Sequence, residues 1–94
     1  MVIGTCTIEL RLPGNGSLKG KRRVIKSIIA RVRHRFNVAI AEVGALDAWQ
    51  AATLGVACVS NSADHAHSVL SKVVGLIENG RFDVEVLDYR IEVF

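Results

Sequence analysis

The chain has 94 residues, 50% of them hydrophobic, with one proline, two cysteines and a formal net charge of +3. That length suits one domain with its own hydrophobic core, so we predict a single domain over residues 1–94. A charged fraction of only 22% excludes an intrinsically disordered chain. No apolar run approaches the ~18 residues of a membrane span, and the N-terminus lacks the basic segment of a signal peptide. We therefore expect a cytoplasmic protein without a membrane partner.

The first twelve residues alternate in hydrophobicity, which predicts a strand with its even positions buried. The segment 13–16, Pro-Gly-Asn-Gly, ends this pattern and predicts a loop. Cys6 and Cys58 each lie in an apolar, strand-like segment. In an intracellular chain we expect them to be reduced, buried thiols rather than a redox pair.

A long amphipathic helix is predicted from an N-cap at Ser17 to about Arg35. At about 100° per residue, its buried stripe consists of Leu18, Ile25, Ile28, Ile29, Val32 and Phe36. One flank beside that stripe is basic, and we call it the basic ridge: Lys19, Arg22, Lys26 and Arg33. The opposite flank is assigned Lys21, Arg31 and Arg35.

The second half of the chain repeats the alternation of strands and helix. Residues 37–43 and 50–59 read as two strands joined by a short turn, the second with Leu54, Val56 and Cys58 inward. A second amphipathic helix follows the possible N-caps at 60–62 and stops at Asn79-Gly80. The last strand begins near Phe82. Its alternation of apolar and polar residues changes phase near Leu87, which predicts a bulge.

The predicted order is strand, helix, strand, strand, helix, strand. Two amphipathic helices can cover only one face of a four-stranded sheet. We therefore predict an α+β, ferredoxin-like βαββαβ fold, with an antiparallel sheet of order 4-1-3-2 and both helices on one face.

Several short motifs resemble those of a known family. They are Ser17-Leu18-Lys19, Lys21-Arg22, Arg35-Phe36-Asn37-Val38, Ala41-Glu42-Val43-Gly44, and Asp47 with Trp49-Gln50. Together they are similar to the YlxP-like family, small bacterial proteins that form a domain-of-unknown-function family. The resemblance covers nearly the whole chain and implies a ferredoxin-like fold. It also implies a genomic association with translation initiation and ribosome maturation, without a mechanism.

Charge is strongly segregated along the chain. Residues 11–41 carry nine basic and no acidic side chains, whereas the remainder carries three basic and nine acidic ones. This favours a polyanion such as RNA or the ribosome as partner of the basic ridge, against the alternative of a merely solvated helix face. The outward positions of the first and third strands hold no aromatic residue, so any RNA would bind through charge rather than base stacking.

The sheet face away from the helices is too apolar for an ordinary wet surface. Ile3, Ala57 and Val59 are the central members of this patch. We predict that it packs against a second copy of the chain in a homodimer, although scattered exposed apolar residues are common.

The loop before the first helix offers an alternative site. Gly14, Gly16 and Ser17 precede a helix N-terminus that is followed by Lys19 and Lys21. Free amides, the helix dipole and these lysines could hold a small anionic ligand, as in a dimeric, ACT-like regulatory domain. The arginine that an acylphosphatase needs in this loop is missing.

No catalytic, cofactor or metal site is predicted. His65 and His67 point to opposite sides of a helix and cannot share one ion, while Asp64 suits the first helical turn. Trp49 is expected to cover an end of the core rather than to anchor a partner.

The leading hypothesis is a non-enzymatic, dimeric module that binds RNA or a ribonucleoprotein. A protein-interaction adaptor using the acidic half or Trp49 remains a further alternative.

Overall fold

The computed structural model describes all 94 residues. Its elements are β1 (Val2–Arg11), α1 (Leu18–Arg35), β2 (Ala39–Gly44), β3 (Ala51–Ser60), α2 (Ala63–Asn79) and β4 (Glu85–Val93). The predicted βαββαβ order is confirmed.

The four strands form one antiparallel sheet in the order β2-β3-β1-β4. This is the predicted order 4-1-3-2, read from the opposite edge. The central pair, β1 and β3, stays in register from Val2 opposite Ser60 to Arg11 opposite Ala51. Strands β2 and β4 are therefore the edges, and β2 lies beside α1.

A single core fills the space between the helices and one sheet face. It contains 17 buried hydrophobic residues, which come from the even positions of β1 and β3, from the apolar stripes of both helices, and from Leu12 and Ile40. Ile28 and Leu70 are completely shielded from solvent, and truncating such a side chain to alanine costs about 2–5 kcal/mol. Cys6 and Cys58 are free and buried in this core, as expected.

The predicted bulge in the last strand is present. Between β1 and β4 the register shifts after Glu9, which lies opposite Asp88, whereas Leu10 lies opposite Val86. The extra residue, Leu87, is left without a partner and is 61% exposed. Strand β4 begins at Glu85 rather than near Phe82, because the preceding segment packs against the core without joining the sheet.

Both helices begin at serine caps. The Ser17 hydroxyl accepts a hydrogen bond from the Gly20 amide at 3.0 Å, and that of Ser62 accepts one from the His65 amide at 3.3 Å. Each cap satisfies one of the amides that a helix start leaves without a backbone partner. Neither helix combines the length and the apolarity that crossing a membrane requires.

Candidate polyanion-binding surface on the first helix

The basic ridge lies on the outer surface of α1. Lys19, Arg22, Lys26 and Arg33 are all exposed, as their helical spacing predicts. Because a helix rises about 1.5 Å per residue, these four cations extend over about 21 Å of the helix axis. The ridge is therefore long enough to meet several phosphates of one extended strand.

Three ridge residues line a groove between α1 and the edge strand β2, which we call the edge groove. Arg22, Lys26 and Arg33 form its basic wall, and the groove has a volume of about 420 Å³. Its remaining lining is mostly apolar, from Ile25, Ile29, Ile40 and Ala41, with Glu42 as the one acidic residue. The cations thus border a recess rather than a flat helix face.

Arg33 connects the ridge to the free edge of the sheet. One of its Nη atoms donates a hydrogen bond to the backbone carbonyl of Ile40 at 3.2 Å. This contact satisfies an edge carbonyl and places a charge where another strand would otherwise pair, a common protection of sheet edges. Arg33 is therefore partly engaged, whereas Arg22 and Lys26 make no ion pair or side-chain hydrogen bond.

The assignment of Lys21 to the opposite flank of the helix, beside Arg31 and Arg35, is wrong. Its side chain is 1% exposed, and its ammonium is enclosed by the β2–β3 turn. Nζ donates to the backbone carbonyls of Ala45 at 2.7 Å, Ala48 at 2.8 Å and Ala51 at 2.9 Å. It also lies 2.8 Å from a carboxylate oxygen of Glu42. The charge is buried because four oxygens replace its water shell.

The helical spacing contained a signal for this burial. Lys21 follows Leu18 by three residues and precedes Ile25 by four, so it lies on the same stripe as both. A lysine at such a position is buried only if distant oxygens meet it. Those oxygens belong to a turn 24 to 30 residues further along the chain.

The Lys21–Glu42 pair keeps the edge groove positive. Glu42 is the only carboxylate in the groove lining, and the ammonium of Lys21 neutralises it from the buried side. The other two ion pairs of the protein, Arg11–Glu85 and Arg90–Glu92, lie on the sheet. No acidic side chain therefore cancels the charges of Arg22 and Lys26.

The loop before α1 is occupied largely by its own contacts. Gly14 has a φ of 74°, in the left-handed region that favours glycine. The Asn15 amide group donates to the carbonyls of Ser17 at 2.8 Å and Trp49 at 2.6 Å, and the Ser17 hydroxyl caps Gly20. A side chain at Gly20 would collide with the side-chain amide oxygen of Asn15, so a larger residue there would have to displace the Asn15 side chain from its two hydrogen bonds.

The structure leaves fewer residues available to bind an anion at this loop than the sequence predicts. Gly14, Gly16 and Ser17 lie at the helix start as expected, and no atom lies near the position of a Cβ at Gly16. Lys21, however, points into the β2–β3 turn and cannot reach a ligand there. Only Lys19 remains of the two lysines expected at this site.

The predicted dimer residues lie together on the sheet face opposite the helices. Ile3 and Val59 are cross-strand partners, 41% and 68% exposed, and Ala57 is the next outward residue along β3. Val43 extends the patch onto β2 and is 59% exposed. The patch is continuous and apolar.

Two smaller expectations have different outcomes. Trp49 does not cover the core, because it is 54% exposed and does not belong to the residues packed there. Asp64 does lie in the first turn of α2, and the His67 ring contacts Ser71 at 3.4 Å. No three side chains of the His, Cys, Asp or Glu type converge as metal ligands would.

Comparison with known structures shows the fold. The designed protein Foldit4 aligns over 100% of this chain and 97% of its own, with a TM-score of 0.55 and 10% identity. The designed protein LFR1 1, described as having a ferredoxin fold, aligns over 100% of this chain and 84% of its own, with a TM-score of 0.51 and 15% identity. The predicted ferredoxin-like architecture is confirmed.

Comparison with known sequences shows the family. The family model described as "Protein of unknown function (DUF503)" matches residues 3–91. The uncharacterized protein YlxP of Bacillus subtilis (strain 168) is 40% identical over 78 residues, which cover 83% of this chain and 85% of that protein. The resemblance inferred from the short motifs is thereby confirmed, and the chain belongs to the YlxP-like, DUF503 family of proteins of unknown function.

Proposed function

We propose that this protein is a non-enzymatic binding module that contacts RNA, alone or within a ribonucleoprotein such as the ribosome, through the basic ridge. One observation carries the proposal: Arg22 and Lys26 line the edge groove without any ion pair, and the only carboxylate there is neutralised by Lys21. A helix face that served only solubility would not require this arrangement.

The binding energy comes mainly from charge. Each cation that meets a phosphate releases counterions from the RNA, and the affinity then falls with rising salt. Arg22 adds a planar guanidinium, which can form two parallel hydrogen bonds to one phosphate. The apolar residues of the edge groove lie beside these contacts.

The test is RNA binding by charge-neutral variants of the ridge. A fluorescently labelled single-stranded RNA is titrated with the wild-type protein and with Arg22→Gln/Lys26→Gln, and anisotropy is measured. The control, Arg23→Gln/Arg90→Gln, removes the same net charge from an exposed site on α1 outside the ridge and from β4. We expect at least tenfold weaker binding for the ridge variant and less than twofold weaker binding for the control. Equal losses, or no binding by the wild type, contradict the proposal.

We further propose that the protein acts as a homodimer packed through the open sheet face. The support is the continuous apolar patch of Ile3, Ala57, Val59 and Val43, most of which is exposed in the single chain. Packing two such faces together would remove this surface from water. It would leave the helices, and hence two basic ridges, on the outside of the assembly.

The ACT-like alternative assigns a small anionic ligand to Gly14, Gly16 and Ser17. Its support is the uncapped part of the α1 N-terminus, beside Lys19. A ligand there raises the melting temperature by mass action, and Gly16→Val abolishes the rise without straining the fold.

The adaptor alternative relies on exposed Trp49. Nuclease treatment of lysate distinguishes it from RNA binding, because the partners of an adaptor remain bound after RNA is destroyed.

A further inference from the structure

A second concentration of positive charge lies on the other flank of α1, where the C-terminal ends of the two helices meet. Arg31 and Arg35 of α1 face Lys72 of α2 across a cleft of about 400 Å³, which we call the helix-end cleft. That volume falls within the range of roughly 300–1,000 Å³ found for small-ligand sites. No acidic side chain lines the cleft.

The two arginines of the cleft are oriented by aromatic rings. The Arg31 guanidinium lies over the Phe82 ring and that of Arg35 over the Phe36 ring, each 5.9 Å from the ring centroid. Such stacking holds the planar group while leaving its N–H donors available in the ring plane. None of Arg31, Arg35 and Lys72 takes part in an ion pair.

Three unpaired cations around one recess repel each other, and this repulsion is relieved when a multivalent anion binds between them. Phosphate matches the donors present, since guanidinium binds it through two parallel bonds and ammonium as a point charge. Leu76 and Phe36 supply apolar surface beside the cations. We infer that the helix-end cleft is a binding site for a phosphate-bearing anion, held by Arg31, Arg35 and Lys72.

A competing explanation is that the arginines only offset the helix dipole. Arg35 belongs to the last turn of α1, where basic residues stabilise the terminal carbonyls. Lys72 does not share that role, because it lies in the middle of α2, seven residues before its last residue. The variant Lys72→Gln therefore removes a charge from the cleft without altering either helix terminus.

The experiment is a two-dimensional amide NMR titration with inorganic pyrophosphate at physiological salt. We expect the signals of residues 35–37 and 76–80 to move together and to saturate. Lys72→Gln and Arg31→Gln/Arg35→Gln should each weaken this binding at least tenfold. The matched control for the double variant, Arg23→Gln/Arg90→Gln, should retain it within twofold. Melting temperatures measured with and without pyrophosphate provide a second readout if the double variant is destabilised.

Two further titrations distinguish the source of the phosphate. A nucleoside triphosphate that saturates the cleft in the presence of excess RNA indicates a free nucleotide-like ligand, whereas displacement by RNA indicates that the cleft holds a phosphate of the nucleic acid. Either result supports the site. Absence of saturable shifts, or equal pyrophosphate binding by wild type and Lys72→Gln, overturns it. Since the ridge residues lie on the other flank of α1, this outcome is independent of the RNA-binding proposal.

Discussion

The ammonium of Lys21 and the carboxylate of Glu42 lie 2.8 Å apart, and theirs is the only ion pair in the protein in which both side chains are largely shielded from solvent. Lys21 is 1% exposed and Glu42 is 18% exposed. The pair joins the start of α1 to the end of β2. The buried ammonium of Lys21 therefore holds the β2–β3 turn in place and also neutralises the one carboxylate of the edge groove.

Lys21→Met should therefore destabilise the protein strongly. Removing one partner of a buried pair costs about 3–5 kcal/mol, because the remaining oxygens lose the positive charge that faces them. Here those oxygens are the Glu42 carboxylate and three turn carbonyls. Urea unfolding followed by circular dichroism measures the change, with Lys19→Met as an exposed control that should stay within about 0.5 kcal/mol. Equal stability of the two variants contradicts a structural role for the buried ammonium.

The fold could be predicted from the sequence because its determinants are local. Alternation along β1 and the three-and-four spacing in both helices depend on neighbouring residues, and even the bulge at Leu87 appears as a phase slip in the chain. The positions of the ridge residues follow from helical geometry in the same way. Such features need no knowledge of how the elements pack.

What could not be predicted depends on contacts between distant segments. The burial of Lys21 requires carbonyls from the turn 45–51, and the exposure of Trp49 depends on how that turn folds against α1. The edge groove needs β2 beside α1, and the helix-end cleft needs α2 beside α1. From the sequence, Arg31 and Arg35 are therefore only two charges on the surface of α1, because their proximity to Lys72 depends on how the two helices pack.

Val59→Asp should convert a homodimer into a monomer. Val59 is 68% exposed in the single chain, so the substitution should change monomer stability little, while a buried carboxylate would be intolerable between two apolar faces. Light scattering should give twice the monomer mass for the wild type and the monomer mass for the variant. Leu46→Asp, at an exposed apolar residue of the β2–β3 turn, is the control and should remain dimeric. A wild-type protein that is monomeric at high micromolar concentration rules out this assembly.

The stability of the protein should fall as the pH rises from about 9 to about 11, in part because of Cys6. Burial raises the pKa of the Cys6 thiol from 9.0 to about 11, while a backbone hydrogen bond from Arg90 partly opposes the rise. In this interval the unfolded chain loses the thiol proton and the folded one keeps it, so the free energy of unfolding decreases with pH. The slope is roughly 1.4 kcal/mol per pH unit. Urea unfolding at several pH values should show a shallower decline for Cys6→Ala, and parallel curves would exclude a contribution from this thiol.

The salt dependence of RNA binding should report how many ridges engage one RNA. For single strands, the logarithm of affinity falls with the logarithm of salt concentration with a slope of about −0.7 per neutralised phosphate. Four contacts from Lys19, Arg22, Lys26 and Arg33 give about −2.8, and two ridges of a dimer on one RNA give about −5.6. Arg22→Gln/Lys26→Gln should halve either slope, because it removes two of four contacts per chain.

The salt dependence of the interface variant Val59→Asp shows whether one RNA contacts one ridge or both ridges of a dimer. If a dimer binds one RNA through both ridges, Val59→Asp should halve the slope although it removes no positive charge from α1. If each chain binds separately, Val59→Asp leaves the slope unchanged and the ridge variant still halves it. A slope that responds equally to Arg22→Gln/Lys26→Gln and to Arg23→Gln/Arg90→Gln would mean that net charge alone attracts RNA. The edge groove would then have no part in binding.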